Sequence, residues 1–298
     1  MIESGLDVVG LHPVGGKTAH LSLDAFLEQT KTEAYQRFCR RMRQNGIQVT
    51  LECHALSWLV PRELYAQHPD WFRMDENGQR VADFNICASN EEALAFLEER
   101  TAELAAQVPA DDHMYRLWID DTMGTICSCE KCRHLSGADQ AMILYNRMLR
   151  GIKGVDPKGK LAYLAYHNTL QVPTVKPEEG IFLEFAPIHR LFDYPINDPN
   201  CQRNQAEIAN VEALLDYFGR EDAQLLEYWM DNSLFCHWQL PYKKLELNEE
   251  VMRCDMRYYR SLGFEYYSSF GCFLGEDYAR EFGPPPVRTY RDILQNVR

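Results

Sequence analysis

Two adjacent aspartates and a tight group of cysteines lie within one stretch, WIDDTMGTICSCEKCRHLS, at residues 118–136. Asp120 and Asp121 end a short apolar segment, and paired carboxylates are suited to general acid and base catalysis. The cysteines follow with the spacing C-x-C-x-x-C, and thiolates are ligands that zinc prefers. The stretch therefore offers acid-base chemistry, metal binding or redox chemistry, and the rest of the chain has to decide between them.

The cysteine motif supplies four candidate zinc ligands within eight residues, namely Cys127, Cys129, Cys132 and His134. Cys236 or His237 is an alternative fourth ligand from farther along the chain. A zinc ion with four protein ligands would be structural, because no coordination position stays open for a substrate. Thiol packing in a loop is one alternative. A redox couple of Cys129 and Cys132 is another, although CEKC follows a loop and does not open a thioredoxin-type helix. No other cofactor is predicted.

Eight short apolar runs alternate with amphipathic stretches along the chain. The runs are at 6–13, 47–55, 82–89, 115–121, 160–168, 180–187, 223–231 and 264–271, of which 82–89 is the least apolar. Helical spacing of apolar residues is found at 30–46, 89–109, 137–154, 203–219 and 247–263. Strands that alternate with helices predict a parallel sheet, and nearly continuous apolar strands predict burial on both faces.

Eight such units favour a (β/α)8 TIM barrel, and we predict a single α/β domain over residues 1–298. No glycine-rich phosphate-binding motif follows a strand, which argues against the open nucleotide-binding folds. The proline-rich link at 169–180 is too short for a full helix, so the barrel is expected to be irregular.

The composition limits the partners. A net charge of -13 argues against a nucleic acid or an anionic membrane as partner, because phosphate groups require a basic surface. The first residues lack the basic and apolar regions of a signal peptide, which predicts a cytoplasmic protein. Cys39, Cys53, Cys87 and Cys254 lie in apolar or helical segments and are expected to be isolated buried thiols. The oligomeric state cannot be predicted.

Polar and aromatic residues follow almost every predicted strand, at the rim where TIM barrels carry their active sites. In chain order they are His12, Glu52, His54, Asn85, Asp120, Asp121, His167, Asn168, Glu184, Glu227, Trp229, Asp231, Ser268 and Ser269. Any single one could be an ordinary polar residue at a strand end. Their common location at one rim favours a functional site. Glycoside hydrolysis needs two carboxyl groups, and the candidates are Asp120, Asp121, Glu184 and Glu227.

Several segments resemble one known family. They are ECHALSWLVPRELYAQHPDWFRMDENGQR, FNICASNEEA, WIDDTMGTICSCEKC, LAYLAYHNTLQVPTVKP and FLEFAPIHR, and they extend over roughly residues 46–271. Together they resemble the domain of unknown function 4838 family. The resemblance implies a TIM-barrel catalytic domain related to family 20 β-hexosaminidases and family 67 α-glucuronidases. It also implies a small α/β domain before the barrel in full-length relatives, which we expect to be absent from this chain.

The resemblance also bears on individual residues. Asp120 and Asp121 stand where family 20 enzymes keep an Asp-Glu pair whose glutamate is the acid. The α-glucuronidase relation implies that Arg190 could bind a uronate carboxylate in bidentate fashion. A salt bridge to a neighbouring acid is the alternative for Arg190.

The sequence thus predicts a glycoside hydrolase acting on a carbohydrate, with a uronate or an N-acetyl sugar as candidate substrates. Asp121 is predicted to be the general acid, Glu184 or Glu227 the base or nucleophile, and Asp120 an orienting residue. The residues predicted to line the sugar pocket are His12, His54, His167, Arg190, Tyr228, Trp229 and Asp231.

Two other functions stay open. The first is a non-catalytic carbohydrate-binding barrel that has lost one carboxylate. The second is a metal-dependent hydrolase, in which His12, His54 and His167 would hold an ion with Asp121 or Glu227. The chain has no H-x-H after its first strand, which argues against this second function.

Overall fold

The computed structural model describes residues 2–296. The chain divides into two compact units. The first is Asp7–Phe182, and the second consists of Glu3–Leu6 together with the chain from Leu183 onward. A single 3-10 turn, Ile2–Ser4, precedes the first strand.

Four parallel strands form the sheet of the first unit, paired in chain order. They are β1 Val8–Leu11, β2 Gln48–His54, β3 Met114–Trp118 and β4 Lys160–Ala165. In β2 and β3, Glu52 pairs with Arg116 and His54 with Trp118. All residues of β3 and β4 after the first in each are buried, as nearly continuous apolar runs predict.

The helices of the first unit follow its strands. They are α1 Ala19–Thr30, α2 Glu33–Gln44, α3 Leu56–Leu59, α4 Glu91–Gln107 and α5 Gly137–Val155. Short 3-10 turns lie at Gly16–Thr18, Arg62–Ala66, Pro69–Trp71 and His167–Thr169. The sequence pattern predicted α2, α4 and α5. It missed α1, although the buried Leu23 and Leu27 have the four-residue spacing of a helix face.

Local chemistry fixes where the long helices begin and how closely they pack. The side chain of Asn90 accepts a hydrogen bond from the Ala93 amide at the start of α4, and Ser136 forms a capping box with Asp139 at the start of α5. In α5, a Cβ atom at Gly151 would lie 2.2 Å from the carbonyl oxygen of Glu98 in α4. Only glycine therefore allows the two helices to come this close.

The proline-rich link at 169–180 forms no helix beyond the turn His167–Thr169, as predicted. Asp139 holds this link against the start of α5. Its Oδ1 atom accepts hydrogen bonds from the backbone amides of Thr174, at 2.5 Å, and Val175, at 3.0 Å. A single buried carboxylate thus satisfies backbone donors that a helix would otherwise have paired.

The predicted third strand, 82–89, is not a strand, and this prediction was wrong. Asn85 has a φ of 54°, a left-handed conformation that interrupts an extended strand. The segment instead forms an isolated antiparallel bridge between Phe72 and Ile86, and Arg73 forms an ion pair with Asp83. The segment is therefore a loop that is held by side chains.

The second unit contains three parallel strands and the remaining helices. The strands, paired in order, are β5 Ile181–Phe185, β6 Gln224–Glu227 and β7 Tyr266–Ser269. The division falls within β5, between Phe182 and Leu183. The helices are α6 Gln202–Ile208, α7 Val211–Phe218, α8 Asn232–Phe235, α9 Glu249–Ser261, α10 Glu276–Phe282 and α11 Val287–Asn296. The helix predicted at 203–219 is thus two helices, interrupted at Ala209 and Asn210.

The α/β class with parallel neighbouring strands is confirmed. Within residues 2–296 there are seven strands, so the eight strands of a complete (β/α)8 barrel are not found. The single-domain organisation stays a prediction. Over the same residues, no helix combines the length and the apolar character needed to cross a membrane.

Candidate active site

Asp120 lies just after β3 and is almost completely buried, with 2 % of its side chain exposed. Its Oδ1 atom accepts a hydrogen bond from the Ser57 amide at 3.1 Å. Its Oδ2 atom accepts one from the Asn85 amide at 2.7 Å and forms an ion pair with Arg62 at 3.3 Å. Both oxygens are therefore used to hold the segments after β2 and around Asn85.

Asp121 is in a different environment from its neighbour, because 37 % of its side chain is exposed. Its Oδ1 atom accepts a hydrogen bond from the Tyr166 hydroxyl at 3.0 Å, and His167 Nε2 lies 3.8 Å from the same oxygen. A Cβ atom at Gly15 would lie 3.3 Å from Asp121 Oδ2 and 3.2 Å from the His54 ring. The small residue at position 15 leaves this carboxylate uncrowded.

Aromatic rings surround this carboxylate on its buried side. The His54 ring centroid lies 5.1 Å from that of Trp118 and 5.8 Å from that of Tyr166, and the His12 ring lies 6.0 Å from the His54 ring. His54 Nδ1 lies 2.7 Å from the Ile119 carbonyl oxygen, so Nδ1 carries the proton and donates it. His54 therefore presents Nε2 as an acceptor when the ring is neutral.

The charges of these groups follow from burial and neighbours. Burial lowers the pKa of His12 to about 3, helped by the nearby His54, and burial also lowers the pKa of His54. For Asp121, burial alone would raise the pKa, but hydrogen bonding to His167, the attraction of His54 and the bond from Tyr166 lower it to about 2. At neutral pH the site therefore holds an ionised Asp121 and a neutral His12.

Two residues next to this site have left-handed backbones, Asn85 with a φ of 54° and His167 with a φ of 48°. Such conformations are uncommon outside glycine and are enriched at functional sites. A cavity of about 30 Å³ lies between them, lined by Asp120, Tyr166 and others, whereas ligand pockets measure about 300–1,000 Å³. This cavity is too small to be a sugar site.

The metal-dependent hydrolase requires histidines and carboxylates that converge on one point. Over the described part of the chain, one group of three or more His, Cys, Asp or Glu side chains has converging ligand atoms, and it consists of cysteines. His12, His54, His167 and Asp121 do not form such a group.

In the second unit, the sequence-predicted Arg190 and Glu227 form a buried ion pair. Arg190 Nη1 lies 2.7 Å from Glu227 Oε1 and 2.6 Å from Asp255 Oδ2, and all three side chains are fully buried. The Tyr259 hydroxyl donates to Glu227 at 2.8 Å, and the Trp229 indole donates to Asp255 at 2.9 Å. Arg190 thus forms the salt bridge that the sequence left as the alternative to uronate binding.

The other candidates of this unit are also buried. Asp231 caps α8 by accepting bonds from the amides of Ser233 and Leu234. Tyr228 packs against Phe270, with ring centroids 5.4 Å apart, and Glu184 is buried in β5. Burial raises the pKa of Glu227, an effect that Arg190 opposes, and burial also raises the pKa of Asp231. The functional roles of these residues stay predictions.

The cysteine motif gains a partner that the sequence did not indicate. Cys87, Cys127, Cys129 and Cys132 are all buried, and their sulfur atoms lie within 4.8 Å of one another. Cys87 is therefore not the isolated thiol that we expected. His134 is exposed and does not belong to this group, in which Cys87 takes the fourth place; metal binding by these residues stays a prediction.

Comparison with known proteins assigns the chain to a family. The model of a domain of unknown function (DUF4838) matches residues 19–265, and the chain belongs to this family. The resemblance noted from the sequence segments is thus confirmed. No curated protein matches the sequence.

Solved structures of glycoside hydrolases have a similar fold. A family 5 enzyme of Prevotella bryantii B14 in complex with a xyloglucan tetradecasaccharide is 11 % identical, with a TM-score of 0.51 over 100 % of this chain and 84 % of that one. A xyloglucan-specific family 5 endo-β-1,4-glucanase from a metagenomic library, in complex with cellotriose, is 12 % identical, with a TM-score of 0.52 over 99 % and 84 % of the two chains.

A β-galactosidase of Bacillus circulans sp. alkalophilus is 11 % identical, with a TM-score of 0.54 over 98 % of this chain. The chain spans 51 % of the length of that enzyme. At such identities the comparisons establish the fold, which is glycoside hydrolase-like, and no more.

The two aspartates should differ in their effect on stability. Replacing Asp120 by Ala leaves two buried amides and Arg62 without their acceptor, and we expect a loss of about 3 kcal/mol in the free energy of unfolding. Asp121→Ala should cost less than about 1 kcal/mol, since this side chain is partly exposed. Urea unfolding of both variants provides the measurement. Equal losses would contradict the structural role of Asp120.

Arg190 should be required for stability. The variant Arg190→Met leaves Glu227 and Asp255 buried without a counter-charge, which we expect to cost about 3–5 kcal/mol. The matched control is Arg280→Met, because Arg280 forms an exposed pair with Asp277 and should contribute under about 1 kcal/mol. A stable Arg190→Met protein that had lost affinity for a uronate would instead support substrate binding by Arg190.

Proposed function

We propose that the protein hydrolyses O-glycosidic bonds, with Asp121 as the carboxylate that acts on the sugar. The observation that carries the proposal is the contrast between the two adjacent aspartates. Asp120 uses both oxygens to hold backbone segments, whereas Asp121 is partly exposed and bonded on one oxygen by Tyr166. The glycoside hydrolase-like fold supports this class of reaction, although a fold alone does not define an activity.

The environment of Asp121 suits an ionised group better than an acid. A carboxyl group with a pKa of about 2 holds no proton at neutral pH and cannot donate one to a leaving oxygen. The proposal therefore gives Asp121 the role of base, nucleophile or stabiliser of the positive charge that develops on the sugar. This differs from the sequence-based assignment of Asp121 as general acid.

Tyr166 and His167 are positioning residues in this proposal. Both follow β4, and they act on the same Asp121 oxygen, which keeps the carboxylate ionised and fixes its direction. Tyr166 was not among the candidates from the sequence, although it precedes His167 directly.

Activity of an Asp121→Asn variant tests the proposal. On a panel of aryl glycosides and xyloglucan oligosaccharides, the wild-type protein should release sugar and the variant should lose about 100- to 10,000-fold in kcat. Asp111→Asn is the matched control, since Asp111 is an exposed aspartate that pairs with Arg43. A Glu184→Gln variant tests the sequence prediction of a second carboxyl group in the same assay.

Two results would overturn the proposal. One is a folded Asp121→Asn variant with wild-type turnover. The other is sugar binding by the wild-type protein, seen by calorimetry, without turnover on any member of the panel. The second result would identify the non-catalytic carbohydrate-binding protein that the sequence left open.

The pH dependence should report the contacts of Asp121. If its ionised form is essential, kcat/KM falls only when the pH approaches about 2, because activity is lost as the carboxylate becomes protonated. Tyr166→Phe removes a hydrogen bond that lowers this pKa. The acidic limb of the kcat/KM profile should therefore move to higher pH, toward the ordinary pKa of 3.8. The measurement is kcat/KM between about pH 2 and 6, for the wild-type protein and for variants, at each pH where circular dichroism finds the protein folded.

The matched control for this experiment is Tyr163→Phe. It removes the same hydroxyl group from the preceding strand, but that hydroxyl donates to the Thr169 carbonyl oxygen. Its acidic limb should coincide with that of the wild-type protein. A limb that does not move in Tyr166→Phe would exclude Asp121 as the group that sets it.

A further inference from the structure

The cysteine group joins two loops of the first unit. Cys87 lies just before α4, and Cys127, Cys129 and Cys132 lie between β3 and α5. The Cys87 sulfur is 3.6 Å from that of Cys127, 3.7 Å from that of Cys129 and 3.9 Å from that of Cys132. All four thiols are free, since a disulfide requires about 2.05 Å between sulfurs.

These separations match the geometry of a metal shell. With zinc–sulfur bonds of about 2.3 Å, the sulfurs of a regular tetrahedron lie about 3.8 Å apart. Four thiols in simple van der Waals contact could reach similar distances, so spacing alone does not separate a metal site from packing. The groups around the sulfurs provide the second observation.

Hydrogen-bond donors point at the sulfurs. The Met74 amide donates to Cys127 Sγ at 3.3 Å, and Arg80 Nη1 lies 3.8 Å from the same sulfur. The Ser89 hydroxyl oxygen accepts a hydrogen bond from the Cys132 thiol at 3.2 Å and lies 3.6 Å from Cys129 Sγ, where either atom can be the donor. Amide and guanidinium donors stabilise thiolates, and such donors are found around metal-bound sulfur for the same reason. An apolar cluster of neutral thiols would gain little from them.

The loop backbones are held independently of any ion. The Gln140 side chain in α5 accepts a bond from the Cys127 amide at 2.8 Å and donates to the carbonyl oxygens of Cys127 and Cys132, at 3.0 and 3.2 Å. The Cys87 amide donates to the Trp71 carbonyl oxygen at 2.8 Å. The four sulfurs therefore converge from loops that are fixed in position.

We propose that Cys87, Cys127, Cys129 and Cys132 bind one zinc ion in a closed, structural site. Four sulfur ligands in a tetrahedral arrangement favour zinc over the harder cations, and a shell made entirely of protein leaves no position for a substrate. The ion would fasten the loop that carries Asn85 to the loop that follows Asp121. It acts through structure, and the proposal is independent of the activity proposed above.

Metal analysis of the whole chain tests the site. Protein that is purified under reducing conditions and washed with a weak chelator should contain one zinc ion per chain, as measured by inductively coupled plasma mass spectrometry. X-ray absorption at the zinc edge should find four sulfur scatterers at about 2.3 Å, with no nitrogen or oxygen ligand. This second measurement needs no variant, so a variant that fails to fold cannot obscure the result.

Three variants separate the ligands from other residues. Cys87→Ser should lose stoichiometric zinc, whereas His134→Ala should retain it. Cys53→Ser is the matched control, because Cys53 is a buried cysteine of β2 outside the group, and it should also retain zinc.

Three outcomes would overturn the proposal. The first is a reduced protein that contains no metal and takes up none when titrated with zinc. The second is iron in place of zinc. The third is zinc that binds elsewhere, shown by nitrogen or oxygen ligands in the absorption spectrum together with full retention of zinc by Cys87→Ser.

Discussion

The buried carboxylate of Asp120 is the constraint on which the candidate site depends. It accepts bonds from the amides of Ser57 and Asn85 and pairs with Arg62, so one side chain fixes segments that follow β2 and precede α4. A charge buried to this degree is tolerated only with such partners. Because Asp121 is the next residue, its position relative to these segments is set by the bonds of Asp120.

Charged side chains at the strand ends of this protein have different roles, and some of them only stabilise the fold. Arg190, Glu227 and Asp255 form a fully buried ion group, completed by Tyr259 and Trp229, in which every charge faces an opposite charge or a donor. Polar residues at the ends of parallel strands are thus not catalytic by location alone. What distinguishes Asp121 is that 37 % of its side chain is exposed, whereas Arg190, Glu227 and Asp255 are fully buried.

Regular local patterns could be predicted from the sequence, since they depend on near neighbours. Helices α2, α4, α5 and α9 and seven of eight strands followed from apolar periodicity and capping residues. The segment 82–89 failed because a left-handed Asn85 is fixed by a bond to Asp120, which is 35 residues away in the chain.

The candidate site likewise depends on contacts between distant segments, which the sequence alone does not predict. The adjacent aspartates and the C-x-C-x-x-C spacing were visible, but their environments were not. Nothing local separates the buried Asp120 from the partly exposed Asp121, and nothing local joins Cys87 to a motif that begins 40 residues later. Such differences arise from contacts between loops, which only the folded chain brings together.

The two loops that meet at the cysteines are also joined beside Asp120. Asn85 Nδ2 donates to the Thr125 carbonyl oxygen at 3.0 Å, two residues before the contact of Cys87 with Cys127 on each loop. Both links close nearly the same loop of the chain. Once one link has formed, forming the other costs little additional chain entropy. Each link then makes the other easier to form, and their contributions to stability cannot be additive. The position of Asp121 is accordingly a property of the loop pair as a whole, which neither link determines alone.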